Sequence, residues 1–341
     1  MVLAAGAGTR LRPLTYEIPK PMAPVLNRPV IHYALANLAR HGISEVVANL
    51  HAHPEKVRRY CGSGDRWGID LSYSYEPKLM GTAGAVKKAE RFLKNGPFFV
   101  LSGDGFTDIN LDELYAFHRR HGSMATMAVK EVDSRFDYGI TLASKSGRIR
   151  GFIEKPTWGQ VFSNKVNTGI YVFEPEVLRY IPKDVPFDFA RELWPTLLKR
   201  GKPLYAYEWK GYWCDVGNLG ELRRCQMDAL GGRVGVDLPG REIKKGVHVE
   251  QRARIHPKAK LLPPCLIGQD SRIEAGAKVG PFTVVGHGCS IGAGASVKNS
   301  ILFDHVVVGR QGYLSDCIVG ERSSVHSDIA IYGAAILNVR E

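Results

Sequence analysis

From the first residue to about 230, short apolar runs alternate with stretches whose apolar positions recur at helical spacing. The runs 45–50 (EVVANL), 71–75 (LSYSY), 98–102 (FFVLS), 124–129 (MATMAV) and 166–173 (VNTGIYVF) have the length and the β-branched and aromatic content of strands. Between them, 30–40 (VIHYALANLAR) is apolar at helical intervals and stops before Gly42, and 82–94, 111–121 and 218–230 follow suit. Such alternation predicts a Rossmann-like α/β fold, a mixed and mostly parallel sheet with helices on both faces. Ligands in such folds bind beyond the carboxyl ends of the strands.

The period changes after Gly240. Ile267, Ile273, Val279, Val285, Ile291 and Val297 fall six residues apart, and a glycine directly follows Ile267, Val279, Val285 and Ile291. A weaker phase runs on through Val308-Gly309, Leu314, Val319-Gly320 and Val325. Six residues per face and three faces per coil predict a left-handed parallel β-helix of hexapeptide repeats, with branched side chains stacked inside and small residues at the corners. Gly231, Gly232, Gly235, Pro239 and Gly240 mark a linker over 231–245, between a domain of 1–230 and a β-helix domain of 246–341.

Composition narrows the class. With 44% apolar and 23% charged residues the chain can build a core and is not of disordered type. No apolar run approaches the ~18 residues of a membrane span, and the opening Met1–Gly6 is too short and lacks the basic start of a signal peptide. Cysteines 61, 214, 225, 265, 289 and 317 are scattered with no CxxC pair, which argues against a zinc site or a disulfide framework and for a cytoplasmic setting. The net charge of +12 suits an anionic partner. Basic residues are dispersed and aromatics do not interleave with them, so neither nucleic acid nor a membrane surface is expected.

Candidate chemistry starts with Leu3-Ala4-Ala5-Gly6-Ala7-Gly8-Thr9-Arg10, a strand running into a glycine-rich loop whose N–H groups could wrap phosphates. Leu11 stands where a dinucleotide fingerprint has its third glycine, and no Gly-Lys-Ser/Thr ending makes a P-loop. An ordinary tight turn accounts for the bare GxG equally well. Arg10 beside it and Lys20, braced by Pro19 and Pro21, favour a fixed anion.

This run, LAAGAGTRLRPLT…PKPM, resembles the signature of the sugar-1-phosphate nucleotidyltransferases, the nucleotide-sugar pyrophosphorylases. Gly81-Thr82-Ala83-Gly84-Ala85, Ser102-Gly103-Asp104, Tyr138-Gly139, Glu154-Lys155-Pro156, Val166–Tyr171 and Gly211–Gly217 match the same family in order. The resemblance implies a GT-A-like catalytic domain in which a sugar-phosphate oxygen attacks the α-phosphorus of an NTP in line and pyrophosphate leaves. Both reactants are polyanions, so the work is positioning and charge neutralisation. It implies Mg²⁺ held by Asp104 and Asp215, with Asp104 also near the sugar phosphate, and Arg10 and Lys20 as the catalytic cations facing the triphosphate. Leu3, Ala5, Gly6, Gly8, Thr9, Gly81 and Thr82 would bind nucleotide, the 81–85 loop closing over the base. Lys155 would meet the sugar phosphate, Glu154 and Asn167 the sugar hydroxyls, and Gly139 would let backbone approach the ring. Asp108 reads as the local cap of the helix at 111–121.

The GTAGA loop lacks the Leu-Ala-Gln form of short bacterial thymidylyltransferases, and the chain looks closest to bacterial mannose-1-phosphate guanylyltransferases. GTP and mannose 1-phosphate are therefore the expected pair. Glucose-1-phosphate adenylyl-, uridylyl- and thymidylyltransferases are the alternatives, as is a non-catalytic nucleotide-sugar-binding regulatory subunit. The flat faces of a β-helix make a homo-oligomer the expectation. His51 and His53 read as loop or capping residues, and Trp158 as a lining or packing residue. His256, His287, His305 and His326 raise hexapeptide acyl transfer only as a minor alternative.

Overall fold

A computed structural model describes residues 1–6, 8–132, 138–155 and 163–337. Trp158 and Pro156 lie outside the described residues. The chain divides into two compact units, 1–7 with 18–22 and 30–215, and 8–17 with 23–29 and 216–341.

The first unit is built on a nine-stranded mixed sheet. Its path runs Ile149–Ile153, Ile140–Ala143, Lys165–Phe173, Phe98–Ser102, Val2–Leu3, Glu45–Leu50 and Asp70–Tyr75, with Ala125–Glu131 pairing both Lys165–Phe173 and Leu204–Glu208. Val2–Leu3 lies parallel to both Glu45–Leu50 and Phe98–Ser102, and Lys165–Phe173 runs antiparallel to Phe98–Ser102. The helix over Val30–Arg40 has the bounds its apolar spacing predicts. The segment 82–94 is instead two helices, Gly81–Lys88 and Glu90–Leu93, broken at Ala89. Two aliphatic and aromatic clusters form the cores, one around Phe173, Phe189 and Trp194 and another around Ile31, Leu35, Leu50 and Leu101.

A short antiparallel ladder decides the geometry of the site. Gly105–Thr107 pairs with Trp213–Asp215, setting Asp215 opposite Gly105 and Trp213 opposite Thr107. Residues far apart in sequence thereby reach one place, since Asp104 immediately precedes the first strand of this ladder.

The second unit contains a left-handed parallel β-helix of three sheets. Ile267, Ile273, Val279, Val285, Ile291 and Val297 are all at most 1% exposed and share one core. Ile267 stacks on Val285, Ile273 on Ile291 and Val279 on Val297, a coil of three hexapeptides. The next partners are Leu302, Val308 and Leu314, one residue sooner each time. The weaker sequence phase is therefore a corner shortened by one residue, between Val297 and Leu302 and again between Leu314 and Val319. Asn299 and Asp316, at the two short corners, both turn through positive φ. The glycines answer to coil-on-coil approach: a Cβ on Gly268 would lie 2.3 Å from the Gly286 carbonyl oxygen. The same unit holds the helix Leu219–Leu230, whose Arg223 Nη2 donates to Asn299 O (3.0 Å) and Asp316 Oδ1 (2.7 Å) across those corners. Among the described residues, no helix is long and apolar enough to cross a membrane.

Candidate functional site

Lys20 sits in a single turn over Lys20–Met22, closed by Met22 N donating to Pro19 O at 2.8 Å, and is only 8% exposed. Its ammonium lies between two carboxylates. Nζ donates to Asp215 Oδ1 at 2.7 Å and forms an ion pair with Asp104 Oδ2. Asp104 Oδ1 also accepts from the Ser102 hydroxyl. Burial pulls the Lys20 pKa down, but the Asp104 and Asp215 charges outweigh it and the net shift is upward. For Asp104 burial pushes up, and the Lys20 charge with the hydrogen bonds from Lys20 and Ser102 carries the net shift downward. Both shifts favour the charged forms of Lys20 and Asp104, which face each other across the ion pair.

Each carboxylate is held by its element. Gly103 N donates to Leu3 O at 2.8 Å, and a Cβ there would lie 2.9 Å from the same oxygen, so the turn carrying Asp104 rests directly on the first strand. Ahead of Asp215, Tyr212 N donates to Asp108 Oδ1 at 2.8 Å. This corrects the reading of Asp108 as a helix cap. Asn110 caps the helix Leu111–Arg120, its side chain accepting from Glu113 N, while Asp108 fixes the loop that delivers Asp215.

Gly139, Glu154 and Asn167 come together as a second group. A Cβ at Gly139 would lie 2.6 Å from Glu154 Oε2 and 2.3 Å from the Phe152 ring, and Asn167 N donates to Gly139 O at 2.8 Å. Burial, with the Asp188 charge, raises the Glu154 pKa. The Asn167 amide is partly engaged, donating to Tyr171 Oη (2.8 Å) and accepting from Gly169 N (3.0 Å). Among the described residues, one N–H and one lone pair of the amide have no further partner. Lys155 is exposed, on a backbone of positive φ beside Glu154.

At Gly81, the segment Val185–Asp188 claims much of what the sequence assigned to nucleotide. A Cβ on Gly81 would lie 2.6 Å from Phe187 O, and both Ala83 N and Gly84 N donate to that oxygen. The Thr82 hydroxyl donates to Asp188 Oδ2 at 2.9 Å and accepts from Phe189 N at 2.8 Å. Asp188 is a residue sequence reasoning missed, because nothing in PFDFA marks which helix start it faces. On the first strand, Leu3 is half-buried, Ala5 buried and Gly6 exposed. Gly8, Thr9 and Arg10 belong to the second unit. There Gly8 opens a turn over Thr9–Leu11, and its carbonyl accepts from the Thr15 hydroxyl at 2.7 Å.

Among the described residues no cluster of three or more His, Cys, Asp or Glu side chains is placed to hold a metal ion. The Asp104 and Asp215 oxygens converging on one ammonium are a donor set of another kind: two hard oxygens that fit a divalent cation completed by phosphate and water. In the β-helix His287 carries the Asp304 and Glu250 carboxylates, which raise its pKa to about 10 against burial. A charged imidazole has no lone pair for general-base work, which counts against acyl transfer there.

Residues 1–231 match the family described as "Nucleotidyl transferase", and residues 261–340 match "GMPPB C-terminal domain". A UTP--glucose-1-phosphate uridylyltransferase of Synechocystis is 36% identical over 73% of this chain and 68% of its own length. A mannose-1-phosphate guanyltransferase of Eremothecium gossypii is 36% identical over 64% of this chain and 60% of its own length. The rice protein named "Probable mannose-1-phosphate guanylyltransferase 3" is 33% identical over 100% of this chain and 96% of its own. A solved Bacillus anthracis structure, described as a "Putative Glucose-1-Phosphate Thymidylyltransferase", superimposes with a TM-score of 0.62 and 26% identity over 69% of this chain and 96% of that one. With more than half its length inside the family match, and with two carboxylates and a buried lysine gathered beyond the strand ends, the chain belongs to the nucleotidyl transferase family.

Proposed function

We propose that this protein transfers a nucleotidyl group from an NTP to a sugar 1-phosphate and releases pyrophosphate, with GTP and mannose 1-phosphate as its pair. The observation that carries the reading is the convergence of Asp104 and Asp215 on Lys20 Nζ. The phosphate oxygen of the sugar 1-phosphate attacks the α-phosphorus, a new P–O bond forms, and the bond to the bridging oxygen of pyrophosphate breaks. Asp104 and Asp215 would hold Mg²⁺, which would supply charge neutralisation of the polyphosphate. Lys20 keeps a fixed positive charge between those carboxylates, and Arg10 adds a second cation toward the triphosphate. Leu3, Ala5, Gly6, Gly8, Thr9, Gly81 and Thr82 line the nucleotide. Lys155 takes the sugar phosphate, while Glu154, Asn167 and the backbone at Gly139 orient the sugar.

The rice and Eremothecium relatives support GTP and mannose 1-phosphate. The Synechocystis relative favours a second reading, UTP with glucose 1-phosphate. In this account residues 1–230 are the catalytic domain, 231–245 the linker and 246–341 a β-helix domain. All six cysteines are buried, and a cytoplasmic setting is part of this reading. The β-helix faces suit a homo-oligomer. Pyrophosphate release across GTP, UTP, ATP and dTTP with mannose, glucose and N-acetylglucosamine 1-phosphates tests the pairing. GTP with mannose 1-phosphate is expected to be fastest. Turnover with UTP and glucose 1-phosphate alone would select the second reading, and no release with any pair would favour a non-catalytic regulatory subunit.

A further inference from the structure

Three neighbouring strands end together in the first unit, Val2–Leu3 against Glu45–Leu50 and Glu45–Leu50 against Asp70–Tyr75. Just beyond those ends lies a chain of buried hydrogen bonds. Ala4 N donates to Asn49 Oδ1 at 2.7 Å, Asn49 Nδ2 donates to Glu76 Oε1 at 2.8 Å, and Met80 N donates to Glu76 Oε2 at 2.9 Å. Asn49 is 4% exposed and Glu76 1%. The Glu76 backbone is fixed as well, its N–H donating to Leu50 O and its carbonyl oxygen hydrogen-bonded to His51 Nδ1, both at 2.8 Å. A carboxyl taken so fully out of water is costly to bury, and an apolar side chain would fill the space at less cost. What this pair does that an apolar pair cannot is tie two backbone N–H groups to each other. One opens the loop Ala4–Gly6; the other stands directly before the helix Gly81–Lys88.

We propose that Glu76 and Asn49 are positioning residues that set the spacing between the Ala4–Gly6 loop and the start of the Gly81 helix, and through it the affinity for the NTP. The inference rests on the reading of those two segments as nucleotide-binding. The polarity of the chain is directional, because both Glu76 oxygens accept and the Asn49 amide accepts on one side and donates on the other. Glu76→Gln sets an amide NH₂ against the N–H of either Asn49 or Met80. Asn49→Asp sets a second carboxylate against Glu76. The double variant, Asn49→Asp with Glu76→Gln, is complementary again. The carboxylate at 49 accepts from Ala4 N and from the new amide at 76, whose oxygen still accepts from Met80 N.

The test measures KM for the NTP, KM for the sugar 1-phosphate, kcat, equilibrium binding of GTP and UTP, and melting temperature for the full chain and the three variants. Each single variant is expected to raise the NTP KM about 10-fold, the effect of leaving one buried donor or acceptor unmet. The sugar 1-phosphate KM should stay within about 2-fold, and the double variant should return the NTP KM to within about 3-fold of wild type. An unchanged NTP KM in the singles, an equal rise in both KM values, or a folded double variant without recovery would overturn the proposal. So would singles that lose only melting temperature while the NTP KM holds. If the unsubstituted protein itself binds neither GTP nor UTP, the nucleotide reading fails first and takes this inference with it. Normal wild-type turnover without the variant pattern defeats the inference alone.

Discussion

Two carboxylates face one buried ammonium, and their charges keep Lys20 protonated in spite of its burial. Ser102 and the Gly103 turn hold Asp104, while Asp108 holds the segment before Asp215. The sugar side relies on a different kind of residue. Lys155 is exposed and sits beside a glutamate whose pKa is raised by burial and by Asp188. In the proposed role, Lys155→Ala should raise the KM for the sugar 1-phosphate by about 10- to 100-fold, the loss of one charged hydrogen bond, and change the NTP KM far less. Steady-state kinetics with each substrate varied in turn check this, and a selective loss of NTP affinity would contradict it.

At the level of elements the β-helix was the most legible part of the chain, because a six-residue spacing of branched aliphatics has few other physical readings. Its later coils were harder to read for one reason, the corner shortened by one residue after Val297 and after Leu314. The strands Ile149–Ile153 and Leu204–Glu208 escaped notice. The first is half-exposed and irregular in register at Arg150. Ala89, where the 82–94 pattern breaks, carries no glycine or proline to announce it. Coil stacking also makes a pH-sensitive contact. His287 lies against Asp304 and Glu250, whose hydrogen bonds raise its pKa from 6.5 to about 10 while burial opposes them. A raised folded-state pKa means the stabilisation is complete below about pH 6.5 and fades as pH climbs toward 10. The melting-temperature gap between wild type and His287→Gln should therefore be widest near pH 6 and close steadily by pH 10. A gap that widens over the same interval would refute the contact.

For the molecule as a whole, the candidate chemistry divides by how far it depends on strand order. Lys20 is marked in the sequence by its flanking prolines and Asp104 by the apolar run before it, while Asp104 and Asp215 were singled out as a pair by the family resemblance, with which their placement agrees. That Asp215 would arrive beside Asp104 required the ladder between Gly105–Thr107 and Trp213–Asp215, which no periodicity announces. The Asn49–Glu76 pair was invisible for a related reason: Asn49 lies inside EVVANL and its partner depends on which strand lies next in the sheet. Asp108 and Asn110 differ by two positions, and only geometry tells the loop anchor from the cap.

The rate of Mg²⁺-dependent pyrophosphate release from GTP and mannose 1-phosphate by Asp215→Asn, set beside wild type of equal melting temperature, bears most directly on the shared-cation site. A fall of at least about 100-fold is expected, since the substitution keeps the shape and removes one of the two charges that gather the cation. A rate within a few-fold of wild type, with the fold intact, would mean that the reaction centre lies elsewhere.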